Sequence, residues 1–199
     1  MKHLLVIITL LATQITWADD SKPLLIKPTT TIAAPDFKQP LGADWKIAQG
    51  TWQPQQGILT AAEVPAEKHS AVLWHLVKLQ SACITCEFRL DGAKAFLIGC
   101  DGQRHVGRVV ITPTGMSIAE DSKAPSHVIA TLPMAVKSGE WHQLRVEWSG
   151  DRMAARLDGK ELQAQHPYLA TPKERWWFAV GKADAKIRNL TVQSDSSLR

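Results

Sequence analysis

The 199-residue chain lacks the signatures of several common functional classes. It has no nucleotide-binding glycine fingerprint, no P-loop and no Gly-x-Ser-x-Gly nucleophile elbow, so the recognisable phosphate- and ester-handling classes drop out. None of its seven histidines forms His-Glu-x-x-His or stands beside cysteine at zinc spacing, and no metal ligand set is assigned. Its 23 Lys and Arg against 19 Asp and Glu are scattered, without the basic cluster that nucleic-acid binding uses. No apolar run reaches the ~20 residues that span a bilayer. From Trp45 onward no window of a dozen residues combines helical spacing with freedom from Gly and Pro, which argues against long helices there.

What is present begins with a short apolar run, Leu4 to Ala12, behind Lys2 and His3, ending in Thr16-Trp17-Ala18. A basic start, a short apolar core and a small residue at the cut predict a signal peptide over residues 1–18 and a secreted or periplasmic protein. No cysteine follows the cut, which argues against a lipid anchor. Residues 19–40 are a leader rich in Pro and Thr, either extended or laid as a strand along a sheet edge, in which Leu24-Leu25-Ile26 is a segment able to dock. One domain follows over 41–193, and 194–199 is a tail. The size suits one two-layer core.

The domain reads as strands. In residues 141–160, Trp141, Leu144, Val146 and Trp148 mark one extended run, Ser149-Gly150-Asp151 turns the chain, and Met153, Ala155 and Leu157 alternate along a second. Asp158-Gly159 turns it again, the pattern of an antiparallel meander. In 84–90, Ile84, Cys86, Phe88 and Leu90 alternate with Thr85, Glu87 and Arg89; Phe96, Ile98 and Cys100 share a parity further on. Alternation gives each strand one core face, leaving Glu87, Arg89, Arg145 and Glu147 on a polar face. Turn signals recur at short intervals from Gly50 to Gly181, which predicts an all-β sandwich or barrel.

Read as a hairpin, the Asp91-Gly92 turn allows Phe88 opposite Phe96 or Phe88 opposite Ile98. The second register sets Cys86 opposite Cys100 at ~4.5–5.5 Å between Cα atoms, within disulfide range. The alternative is three buried free thiols. Cys83-x-x-Cys86 lacks the helix start of a redox motif.

The string Trp-His-x-Leu-x-Val-Glu-x-x-Gly-Asp with Leu-Asp-Gly-Lys (141–160), and Val180-Gly181 with Ile187 to Val192, resembles the end of a laminin-G/concanavalin-like jelly roll. Among these it most resembles the 3-keto-disaccharide hydrolase-type domains of secreted bacterial proteins, whose opening pattern is matched by Trp45, Gly50, Trp52, Gly57 and Leu59. The resemblance spans about residues 45–192. It implies an antiparallel two-sheet jelly-roll sandwich and a carbohydrate or glycan ligand, and it carries the hydrolase reading for glycosides or 3-keto-glycosides. A structural calcium is common in related sandwiches, and Asp101 and Asp151 are the candidate ligands, although no dense oxygen-ligand loop is visible. No other cofactor is implied.

Jelly-roll glycosidases of the laminarinase type carry Glu-x-Asp-x-x-Glu on one strand, and that string is absent here. The catalytic candidates are Glu87, Asp101 or Glu147 as acid or base, with His105 as partner across the turn that follows Asp101. Arg89 and Arg145 are candidates for holding substrate oxygens. Exposed indoles among Trp74, Trp176 and Trp177 offer a plate for a sugar ring. Against this stand ordinary cross-strand ion pairs and core tryptophans. The alternative function is a non-catalytic carbohydrate-binding or cell-envelope interaction module.

Overall fold

The structure, a computed structural model, describes residues 22–195; the expected signal peptide lies outside them. Strands dominate, in the order β1 (Thr30–Ala33), β2 (Trp45–Gln49), β3 (Thr51–Gln55), β4 (Ile58–Ala62), β5 (Ala71–His75), β6 (Ser81–Asp91), β7 (Ala95–Asp101) and β8 (His105–Thr112). Then come β9 (Gly115–Glu120), β10 (His127–Pro133), β11 (His142–Ser149), β12 (Arg152–Leu157), β13 (Lys160–Gln165), β14 (Arg175–Gly181) and β15 (Asp184–Ser194). The described helical turns are short 3₁₀ pieces at Pro65–Glu67 and Pro167–Ala170.

The strands form two antiparallel sheets. Sheet A runs β13-β12-β11-β6-β15-β4-β3, with β1 added against β15; sheet B runs β10-β9-β8-β7-β14-β5-β2. The C-terminal meander forms as the alternation predicts. Leu157 pairs with Lys160 across a two-residue turn in which Asp158 and Gly159 both have positive φ, 48° and 80°. That combination matches the right-handed twist of the flanking strands, which is why Asp-Gly belongs there.

The sandwich closes where the chain crosses from β6 to β7, and here the hairpin expectation fails. β6 pairs with β11 and β15 in sheet A, whereas β7 pairs with β8 and β14 in sheet B. Phe88 and Phe96 therefore meet across the core, ring centroids 4.7 Å apart and nearly parallel, instead of side by side on one sheet. Cys86 pairs with Leu144 and Cys100 with Gly107 and Trp176, so the Cys86–Cys100 bridge is corrected to free thiols, as is Cys83. The reason is that one core must receive the apolar face of both strands; opposed layers do this with a crossover.

The core is continuous between the layers. Phe178 sits at its centre, 5.1 Å from Trp176, 5.6 Å from Phe96 and 6.4 Å from Trp52. Full burial of such side chains is worth ~1.5–3 kcal/mol each against exposure. Trp148, buried as its parity predicts, donates its Nε1–H to the Leu79 carbonyl at 3.0 Å, so its polar end is not left unpaired.

The leader is part of the fold. Its β1 extends sheet A, and residues 24–26 lie over the outer face of that sheet. The backbone N–H groups of Leu24, Leu25 and Ile26 donate to the Glu147 carboxylate at 3.2, 2.5 and 2.9 Å, and Arg145 Nε donates to it at 2.5 Å. Arg156 donates to the Lys22 carbonyl at 2.9 Å. Glu147 is thereby fully buried on a face that alternation assigns to solvent.

Candidate functional site

The outer face of sheet B carries a row of side chains across five strands. Register sets it: Arg108 lies opposite Gly99, Gly99 opposite Trp177, Trp177 opposite Trp74, and Trp74 opposite Lys46. Directly opposed residues share a face, so the row is contiguous. Two residues along, Val110, Leu97, Ala179 and Val72 form a parallel apolar strip, half-buried except for Ala179.

Gly99 is what lets the Trp177 indole lie flat on the sheet. A Cβ there would stand 2.2 Å from Trp177 Cζ2. The ring is nearly buried and its Nε1–H donates to Asp101 Oδ1 at 2.6 Å. The same oxygen bonds His105 Nδ1 at 2.7 Å, while Oδ2 accepts from Arg175 Nε at 3.0 Å and Nη2 at 2.9 Å. Asp101 itself is 1 % exposed.

These contacts fix the charge states. Burial alone would push the Asp101 carboxyl up, but the bonds from His105 and Trp177, with the His105 and Arg175 contacts behind them, hold it below its usual range. His105 moves the other way: the bond to Asp101 raises it, against partial burial. An ionised Asp101 makes Nδ1 the donor, leaving Nε2 as the uncommitted nitrogen of a ring whose side chain is 56 % exposed. Beside it, the Arg175 guanidinium lies 4.3 Å from the Trp74 ring centroid and Lys46 Nζ lies 5.4 Å from it. At the far end Arg108 bonds Asp121 and Ser126.

The structure thus brings together Asp101, His105, Trp74 and Trp177 of the sequence candidates. It adds Arg175, Lys46 and Arg108, which sequence reading missed; Arg175 shares parity with Trp177, the one signal that pointed to it. Two corrections follow. Trp176 faces the core, fully buried, with its Nε1–H donated to His75 Nδ1 at 3.0 Å, so it is no ligand platform. Neither Trp74 nor Trp177 is an open plate: cations lie against the Trp74 ring, and the Trp177 indole is nearly buried on Gly99.

The remaining candidates belong to sheet A, in the other layer. Glu87 accepts from Arg188 at 2.8 and 2.6 Å and from Asn189 at 2.7 Å. Arg89 pairs with Asp91 at 2.7 Å beside Trp141. Arg145 and Glu147 are buried beneath the leader. Glu87, Arg89, Arg145 and Glu147 thus do not gather around a histidine in one site; each is held in an ion pair, the alternative set against a site in the sequence. His142 spends both nitrogens on Asp158 and the Lys137 carbonyl, at 2.6 and 2.9 Å. Asp151 lies in the β11–β12 turn, bonded by Gln165, and shares no site with Asp101. Among the described residues no group of three or more His, Cys, Asp or Glu side chains is placed to hold a metal ion.

No protein-family model and no curated protein matches this chain. Solved structures do. The fold is a jelly-roll sandwich. The carbohydrate-binding module CBM66 from Bacillus subtilis superposes with a TM-score of 0.65 at 15 % identity, covering 76 % of this chain and 96 % of its own. A Bacillus subtilis protein of unknown function with a galectin-like fold gives 0.61 at 10 % identity, covering 84 % and 97 %. A family 16 endo-β-1,3(4)-glucanase gives 0.59 at 14 % identity, covering 84 % and 98 %. At these identities the likeness is one of fold, and function has to be argued from the site.

Proposed function

We propose that this is an exported, non-catalytic carbohydrate-binding protein that takes acidic saccharides on the outer face of sheet B. The observation that carries the reading is the row Arg108, Gly99, Trp177, Trp74 and Lys46, with Asp101 fixing Arg175 and His105 beside it. Trp74 holds Arg175 and Lys46 against its ring and so orders a cationic ridge that gives carboxylates partners, while the adjacent strip of Val110, Leu97 and Val72 offers a sugar ring's C–H face a surface. Two carboxylates stand against three fixed cations and a histidine poised to become a fourth, so the ridge is net positive. Export follows from the signal-like N-terminus. Binding modules and glycan-cleaving enzymes among the structural neighbours support the general class, as does the resemblance noted in the sequence.

Hydrolysis by paired carboxyls is disfavoured at this face. That mechanism needs one carboxyl protonated near neutrality, yet Asp101 is held ionised and Asp121 is engaged by Arg108 and Ser126. One observation favours a second reading, a glycoside or 3-keto-glycoside hydrolase. The Asp101–His105 pair orients an exposed imidazole, the geometry of a proton-transfer catalyst.

The test is titration with polygalacturonate, alginate and a neutral β-glucan. Binding of an acidic polymer is expected, weakened about tenfold or more by Trp74→Ala or Lys46→Ala, and tightening as pH falls through the raised His105 pKa. Equal affinity for the neutral glucan, or indifference to both substitutions, would refute the proposal. Release of sugar from glucosides or 3-keto-glucosides, abolished by His105→Gln, would replace it with the hydrolase reading.

A further inference from the structure

The outer face of sheet A holds a cavity of about 480 Å³, in the other layer from the ridge on sheet B. Its floor is the centre of the sheet, where β11, β6 and β15 run side by side. One row sets Gln143, Glu87 and Arg188 across these strands; the next sets Arg145, Thr85 and Thr191. A regular sheet face has no such hollow, and two irregularities make this one.

The first is a bulge in β15, where the pairing with β6 shifts between Arg188 and Thr191. Asn189 takes a left-handed conformation there, φ 53°, a backbone state that Asn tolerates better than most side chains. Bulges re-aim side chains, and this one brings Arg188 and Asn189 together on Glu87. The second is the leader, whose Pro28 forms a wall of the cavity just beyond the segment clamped on Glu147.

The charges that line the cavity are satisfied within the protein. Glu87 is neutralised by Arg188, and Arg145 by Glu147. What remains toward the space is a set of hydroxyls and primary amides: Thr85, Gln143, Thr191 and Gln193. Among the described residues the side chains of Thr85, Gln143 and Thr191 make no hydrogen bond, and Gln193 reaches only Thr31, at 3.5 Å. Each such group donates and accepts, which matches the vicinal hydroxyls of a neutral sugar, and with Arg145 and Arg188 already paired to carboxylates the cavity carries no surplus positive charge that would favour an anion. The volume falls in the ~300–1,000 Å³ range of ligand pockets.

We infer that this cavity is a second binding site, for a neutral mono- or disaccharide, independent of the ridge on sheet B. The test records NMR amide shifts of the mature protein titrated with glucose, galactose, fructose, maltose, cellobiose and sucrose. At least one sugar is expected to saturate with shifts on β6, β11 and β15. Gln143→Ala combined with the near-isosteric Thr191→Val is expected to weaken it about tenfold or more, while Lys46→Ala leaves it unchanged. A variant carrying only Thr191→Val, which keeps β-branching and fold, should weaken it in the same direction. Absence of saturable shifts with all six sugars, shifts confined to sheet B, or affinity unmoved by the double substitution would each overturn the inference. Polygalacturonate titration of the same variants reads the sheet B proposal separately.

Discussion

His75 makes the stability of this fold depend on pH in a way that can be worked out. Its ring is buried at the end of β5, 4.4 Å from Trp45, and Nδ1 accepts the Trp176 indole N–H. Indole nitrogen only donates, so Nδ1 must be unprotonated. Burial pushes the pKa down to about 4, with Asp44 opposing weakly. A base whose folded pKa is depressed stays neutral while the unfolded chain takes up a proton below about 6.5. Its contribution is present above that value, falls as pH falls, and stops changing below about 4. Linkage then gives a loss of about 2 kcal/mol between roughly pH 7 and pH 5, approaching about 3 kcal/mol at the acid end. His105 and His142, whose pKa values are raised by Asp101 and Asp158, add stability over the same descent, so the wild-type slope alone is ambiguous. The decisive comparison is urea denaturation of wild type and His75→Asn at both pH values. Asn is always neutral and its Oδ1 can accept from Trp176. The variant is expected to start less stable but to lose about 2 kcal/mol less on acidification. Parallel profiles would refute the reasoning.

Three further outcomes are expected. Gly99→Ala should drive the Trp177 ring off the sheet at a cost of about 1–3 kcal/mol in urea denaturation, with a changed tryptophan emission; an unchanged spectrum would contradict the packing described. Glu147→Leu removes the acceptor that gathers three leader amides and the Arg145 guanidinium, and should cost about 3–5 kcal/mol. Limited thermolysin digestion should then cut beside Leu24 or Leu25, which resist in the wild type because the leader is clamped. Cys83 and Cys100 are pushed up to about 12 by burial and Cys86 is raised for the same reason, so a thiol reagent should label all three only after denaturation, and reductant should leave Tm unchanged.

Much of the fold was legible in the chain because strand periodicity is a local property. Ile84, Cys86, Phe88 and Leu90 announce their common face without reference to any partner, and Asp158-Gly159 announces its turn through backbone sterics alone. The candidate site was half legible: Asp101 and His105 meet across a short connection, so nearness in sequence implied nearness in space. Arg175 comes to the same carboxylate from 74 residues away, and only strand pairing of β14 with β7 joins them.

By itself, then, the sequence determined which residues each strand buries and where the chain turns, since both depend on a residue and its near neighbours. Which strands lie side by side, that β6 and β7 occupy different layers, and that a leader covers Glu147 were decided by the tertiary structure. Alternation says that a side chain points away from the core. It cannot say whether water or another part of the chain waits there, because that depends on long-range docking.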